Sequence, residues 1–244
     1  MSNLFDEASS SYESILTRDV WMSGENTEYF ALYKAQCIKT ALGERFRGRI
    51  LDFGCGIGLT VKPLCALFDP LRTKIYGYDV SKKSLAVAKS TVPGAFFLED
   101  LDDTFQEYFD VVILANVLHH VLPEERILLI ESVRKLMGHR GRLFVFEHNP
   151  YNLLTQWVVK RFPLDKEAKL LRLRDTLSLL KICGFVKYRS AYIVFFPKSL
   201  KVLRSIESFL SFLPVGAQYF CEAFVRDVDE PFKTNGTIRE KPLK

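Results

Sequence analysis

The chain has 244 residues, 48% of them hydrophobic, with a net charge of +5. That size accommodates one α/β domain with embellishments and a full core. No run approaches the ~18 apolar residues of a membrane span, which excludes a membrane-embedded class.

The first segment, to about Gly43, reads as helices lying over a crevice, and its polar, acidic start (Met1 to Ser14) does not read as a secretory signal. Short apolar, β-branched or aromatic runs then predict strands at Arg49–Phe53, Lys74–Tyr78, Ala95–Leu98, Phe109–Ala115, Arg142–Glu147, Val186–Phe196 and Ala217–Val225. Helical period separates the first five. Val61, Leu64, Cys65 and Phe68 share a face in 60–68, Ser81 caps 82–89, and Pro123 opens a helix running to Met137. Such alternation predicts a parallel sheet with right-handed crossovers. Two further helical segments, 152–161 and 199–213, fall outside the rhythm and read as lids, dimer surfaces or core packing.

Ligands of an open α/β sheet bind at the carboxyl ends of its strands. The first predicted strand ends in Asp52-Phe53-Gly54-Cys55-Gly56-Ile57-Gly58, immediately before a helix. Glycines there let the backbone turn tightly and approach a ligand, and a helix N-terminus favours a carboxylate or phosphate. A dinucleotide site would show GxGxxG, but Leu59 stands where its third glycine belongs, which disfavours a nicotinamide-dependent oxidoreductase. The second strand ends at Asp79, 25 positions after Gly54 and placed to accept hydrogen bonds from a ribose diol. The third ends in Glu99-Asp100-Leu101, a carboxylate for an adenine amino group beside an apolar side chain for the ring. The fourth turns polar at Asn116 and His119-His120. Any one of these residues has a structural alternative, such as capping or a turn; four strand ends in order do not.

These residues resemble class I S-adenosylmethionine-dependent methyltransferases from about Arg49 to Glu147, through LDFGCGIG (51–58), YGYDVS (76–81), LEDLDD (98–103), FDVVILANVLHHV (109–121) and GRLFVFEHNP (141–150). The resemblance implies a Rossmann-like, doubly wound, seven-stranded sheet. All strands would be parallel except the last, which inserts antiparallel between the fifth and sixth. N-terminal helices and a C-terminal helical insertion would accompany it. It implies S-adenosyl-L-methionine as methyl donor, with S-adenosyl-L-homocysteine as product. By position, Gly54, Cys55 and Gly56 would line the methionine part, Asp79 would hold the ribose hydroxyls, Asp100 and Leu101 the adenine, and Asn116 the methionine side near the sulfonium, with Asp52, Val80 and Ala115 also at the cofactor. Tyr12, with Tyr29, Phe30 and Lys34, would close over the cofactor or simply dock the segment. A looser similarity to bacterial small-molecule methyltransferases points to a sugar, lipid-linked or secondary-metabolite acceptor.

The expected layout is a helical cover over 1–43, a methyltransferase domain over 44–230 with lid-like insertions at 150–165 and 198–214, and a flexible tail at 231–244. Methyl transfer needs positioning and, for a hydroxyl acceptor, a base. The candidates are His148 and His120, with Glu147 as orienter or alternative base; Leu-His-His after a strand serves equally well to pack the next helix. Five scattered cysteines without CxxC or nearby histidine ligands predict no metal site and a reducing cytoplasm. Asn149-Pro150-Tyr151 differs in placement from the motif of amino-directed DNA methyltransferases, so a nucleic-acid substrate is not expected. Residues 151–244 carry a charge of +8 against −3 for 1–150, and such a basic third faces solvent, an anionic substrate or a membrane surface. Peripheral membrane contact therefore stays open, as does monomer against homodimer, and a non-catalytic relative of the same fold is the remaining alternative.

Overall fold

The computed structural model describes residues 25–161 and 168–225. Seven strands form one sheet: β1 (Gly48–Phe53), β2 (Thr73–Tyr78), β3 (Phe96–Leu98), β4 (Phe109–Ala115), β5 (Met137–His148), β6 (Phe185–Ile193) and β7 (Gln218–Val225). Their order is β3-β2-β1-β4-β5-β7-β6. Pairings among β1 to β5 are parallel, whereas β7 runs antiparallel to both β5 and β6. This is the Rossmann-like arrangement implied by the resemblance, with the reversed last strand in the expected slot. The reversal has a mechanical consequence. β6 ends and β7 begins at the same edge as the carboxyl ends of β1 to β5, so residues 194–217 lie beside the crevice.

The helices are α1 (Thr27–Leu42), α2 (Val61–Leu67), α3 (Lys82–Thr91), α4 (Arg126–Lys135), α5 (Leu153–Arg161), α6 (Leu173–Ile182) and a short α7 (Glu207–Leu210). Strand residues alternate between two cores, as a sheet buried on both faces requires. Ile50, Val111, Ile113, Phe144 and Phe146 pack with Ala35 and Ile38 of α1, Val61 and Leu64 of α2, and Leu85 of α3. Their neighbours Leu51, Val112, Leu114, Leu143 and Val145 pack with Ile130 and Val133 of α4 and Leu180 of α6. The same alternation places Asp52 on the α1 side, where it is buried.

Two expectations shift. Helix α6 is absent from the sequence reading, although Thr176 and Leu180 bury one face of it. Leu173, Leu177 and Leu180 recur there at helical spacing, so its 3.6-residue period is present along the sequence. The segment expected as one helix over 199–213 is instead 3-10 from Lys198 to Ile206, followed by α7. The anticipated flexible tail lies outside the described residues, as do the first 24 residues of the anticipated cover. Among the described residues, no helix is long and apolar enough to cross a membrane.

Candidate active site at the carboxyl edge of the sheet

The glycine turn leaves β1 directly into the crevice. Gly54, Gly56 and Gly58 have φ of +82°, +53° and +85°, a region costly for side-chained residues. A Cβ on Gly54 would sit 2.7 Å from Val117 Cγ2, whereas at Gly56 it would meet nothing within 4 Å. The turn is thus closed against β4 at Gly54 and open at Gly56. Two neighbouring amides, Gly54 N and Cys55 N, donate to Tyr78 O at 2.7 and 2.9 Å, which latches the turn to the end of β2. Asp79 completes the latch, since its carboxylate accepts from Gly56 N and Ser81 N, each at 2.8 Å. These two bonds fix the orientation of the Asp79 carboxylate at the mouth of the turn. Val80 is exposed beside it, and Cys55 is buried beneath. At the end of β3, Asp100 Oδ1 accepts from Leu101 N, with Asp100 exposed and Leu101 half-buried.

Asn116, just past β4, adopts φ +60° while its amide donates to Phe146 O at 2.8 Å. A non-glycine residue held in the left-handed region by the sheet itself is strained in the manner of functional turns. It follows Ala115, which is half-buried at the end of the strand.

Beneath the crevice lie two buried carboxylates, each with a basic neighbour. Asp52 faces Lys34 of α1; both are buried. Burial pushes the Asp52 carboxyl up to about 7 against the pull of the lysine charge. Burial likewise brings the Lys34 ammonium down to about 8, opposed by Glu147 and Asp52. Glu147 is fully buried at the end of β5. Its Oε1 accepts from Leu118 N at 2.7 Å, and its Oε2 lies 2.6 Å from His119 Nδ1. Burial alone would raise its pKa, but the adjacent His119, then His148 and the Leu118 amide, overcome that and hold it below the usual carboxylate value.

Three histidines from the ends of β4 and β5 form one cluster. The ring of His119 is 4.1 Å from that of His120 and 5.2 Å from that of His148, centroid to centroid. His119 is buried, while His120 and His148 are half-buried at the rim. The structure therefore brings His120, His148 and Glu147 together, and pairs Glu147 with His119, a residue that the sequence reading left as packing. Gln218, the first residue of β7 and the register partner of His148, was also overlooked. Its signal was faint: one amide opening a strand that is apolar apart from Glu222. Tyr12 lies outside the described residues. Tyr29 contacts Phe30 edge-on at 5.3 Å and stacks under the guanidinium of Arg204. Among the described residues, no group of three or more His, Cys, Asp or Glu side chains is arranged to hold a metal ion.

Among the described residues, three buried side-chain oxygens have no hydrogen-bond partner: Asp52 Oδ1, Asn116 Oδ1 and Gln218 Oε1. They belong to β1, the turn after β4, and the start of β7, and all three strands reach this edge. A buried acceptor left unmade costs about 1–3 kcal/mol, so three along one crevice mark a place built for donors that a ligand supplies.

Comparison with known proteins agrees with this geometry. Residues 51–143 match a family model described as a methyltransferase domain. An uncharacterized methyltransferase of Bacillus cytotoxicus is 28% identical over 151 residues, covering 58% of this chain and 64% of that protein. The tRNA N(3)-cytidine methyltransferase METTL2 of Mus musculus is 28% identical over 127 residues, 46% of this chain and 33% of that protein. The chain thus spans less than two thirds of the length of these curated relatives. Among solved structures, a SAM-dependent methyltransferase of Thermotoga maritima, described as a possible histamine N-methyltransferase, has the same fold. Its TM-score is 0.66 at 19% identity, over 93% of this chain and all of that one. The chain thus carries a region matching a methyltransferase domain over residues 51–143, on the fold shared by solved SAM-dependent methyltransferases.

Proposed function

We propose that this protein transfers a methyl group from S-adenosyl-L-methionine to a small-molecule acceptor bound at the rim formed by Asn116, His120, His148 and Gln218. The observation that carries the reading is the row of unpartnered buried oxygens beside the open glycine turn. The donor set fits the cofactor. Asp52 and the turn at 54–56 would hold its amino acid end, Asp79 and Val80 its ribose, Asp100 and Leu101 its adenine, and Ala115 and Asn116 would sit nearest the sulfonium. When bound, the sulfonium supplies an activated methyl group. The protein's part is to align the acceptor with it, exclude water and, for a hydroxyl acceptor, take up the proton.

To His148 and His120, half-buried at the rim, we assign that proton, and to Glu147, which is buried beneath them, an electrostatic supporting role through His119. A small molecule suits a crevice walled by residues 149–161 and 194–217 better than a nucleic acid does. The kinship with a tRNA-modifying enzyme covers only a third of that protein and says nothing about its acceptor recognition. Isothermal titration with S-adenosylmethionine tests the cofactor half: micromolar binding is expected, and none at millimolar ligand refutes it. Tritiated methyl transfer to pooled small-molecule extract, with tRNA as a parallel acceptor, tests the other half. Incorporation confined to tRNA would overturn the small-molecule reading. His148→Asn should then lower kcat for a hydroxyl acceptor while leaving cofactor affinity unchanged.

A further inference from the structure

We infer that the segments flanking the crevice, 153–161 and 198–215, form a docking face for an anionic lipid bilayer, so that the mouth of the site opens onto the membrane surface. The face begins with its apolar side chains. Val202 is 82% exposed, Leu153 80%, Phe209 70% and Phe212 65%, with Val215 and Trp157 also exposed. Large aliphatic and aromatic groups at this exposure and density are unusual on a surface that meets only water.

The two segments are contiguous. Asn152 Nδ2 donates to Val215 O at 2.7 Å, and Asn149 Nδ2 to Pro214 O and Gly216 O at 3.0 and 2.7 Å, which fastens the start of α5 to the loop before β7. Both segments leave the carboxyl edge of the sheet, one after β5 and one between β6 and β7, the edge that carries Asn116, His148 and Gln218. The apolar face and the crevice therefore point the same way.

Charge selects the occupant. Residues 153–161 contain no acidic side chain, and 198–215 contain one, Glu207. That carboxylate is buried and turned inward, where its Oε1 accepts from Phe195 N and Phe196 N at 3.1 Å and its Oε2 accepts from the Tyr33 hydroxyl at 3.3 Å. What remains outward is basic: Lys160, Arg161, Lys198 and Lys201 are all exposed. Arg161 lies with its guanidinium 3.8 Å from the Trp157 ring, an amphipathic pair suited to the headgroup boundary. A dimer of two such faces would set basic residues against basic residues, and a protein partner would have to match both the exposed apolar groups and the cations around them. An anionic bilayer satisfies both, taking the apolar groups below its headgroups and the lysines among them.

Co-sedimentation with phosphatidylcholine vesicles, with and without 30% phosphatidylglycerol, tests the proposal on the full chain. The expected result is binding to anionic vesicles at least tenfold tighter than to neutral ones, weakening as salt rises. The triple variant Val202→Ser, Phe209→Ser, Phe212→Ser should lose at least tenfold, and Lys198→Gln with Lys201→Gln should lose the preference for anionic lipid. Titration of the triple variant with S-adenosylhomocysteine shows whether its fold and cofactor site persist. Because vesicle binding is read without cofactor, failure here is distinct from failure of the methyltransferase reading. No preference for anionic vesicles, equal binding by the triple variant, or a solution dimer that the triple variant dissolves would each overturn the proposal.

Discussion

Replacing Glu147 probes the charge beneath the crevice most directly. The carboxylate is fully buried, accepts one backbone amide at 2.7 Å and contacts an imidazole nitrogen at 2.6 Å. In Glu147→Ala both donors lose their acceptor in a site from which water is excluded. Breaking a buried charged pair by removing one partner costs about 3–5 kcal/mol, a large part of the 5–15 kcal/mol that holds a domain together. Glu147→Gln is gentler. Its carbonyl can still accept from Leu118 N, but its amide then presents hydrogens to His119 Nδ1, so the ring must take the tautomer with that nitrogen bare. Loss of one charge-assisted bond predicts about 1.5–3 kcal/mol. Urea unfolding at pH 7 reads both values, and nitrogen-15 NMR of the imidazole reads the tautomer.

The pH dependence follows with a definite sign. The Glu147 carboxyl is depressed in the folded state, so its contribution is present above about pH 4.5, the unfolded value, and is lost as pH falls through the lower folded value. A Glu147→Ala variant within 0.5 kcal/mol of the parent, or one whose acid-side stability profile parallels it, would refute the assignment of Glu147 as the buried anchor.

Asp52 should behave oppositely. Its folded carboxyl is raised to about 7 from 3.8, so the folded state holds the proton more tightly; this contribution is complete below about pH 4 and lost as pH rises through about 7. Asp52→Asn should therefore gain stability relative to the parent across that window, by at most about 1.4 kcal/mol per pH unit, and a flat difference between the two unfolding profiles would contradict it. Asp79→Ala should weaken S-adenosylmethionine binding by about 1–3 kcal/mol in calorimetry, since it removes both a ligand acceptor and the latch on Gly56 N; an unchanged affinity removes Asp79 from the site. Gly54→Ala places a Cβ at φ +82° and 2.7 Å from Val117 Cγ2, and should cost about 2–4 kcal/mol from backbone strain and overlap together. A melting temperature within a degree of the parent would show that the turn relaxes freely.

The sequence by itself determined the sheet and the glycine turn at the carboxyl end of β1. Strand residues such as Ile50-Leu51 and Phe144-Val145 alternate between two buried faces, and the glycines at 54, 56 and 58 mark a turn only a flexible backbone makes, so both are local and legible. Val80, Asp79 and Asp100 follow because strand ends in a parallel sheet share one edge. Helix α6 was missed although Leu173, Leu177 and Leu180 recur at helical spacing between polar residues, so it too was legible. The histidine cluster and its neighbours depended instead on tertiary structure. His119 meets Glu147 across 28 positions, and Gln218 meets His148 only because β7 reverses direction. Lys34 reaches Asp52 only when α1 folds onto the sheet. The inward turn of Glu207, which leaves a basic and apolar rim, was equally invisible along the chain. Periodicity and turn chemistry are written in neighbouring residues, whereas pairing between distant strand ends exists only once the sheet has closed its register.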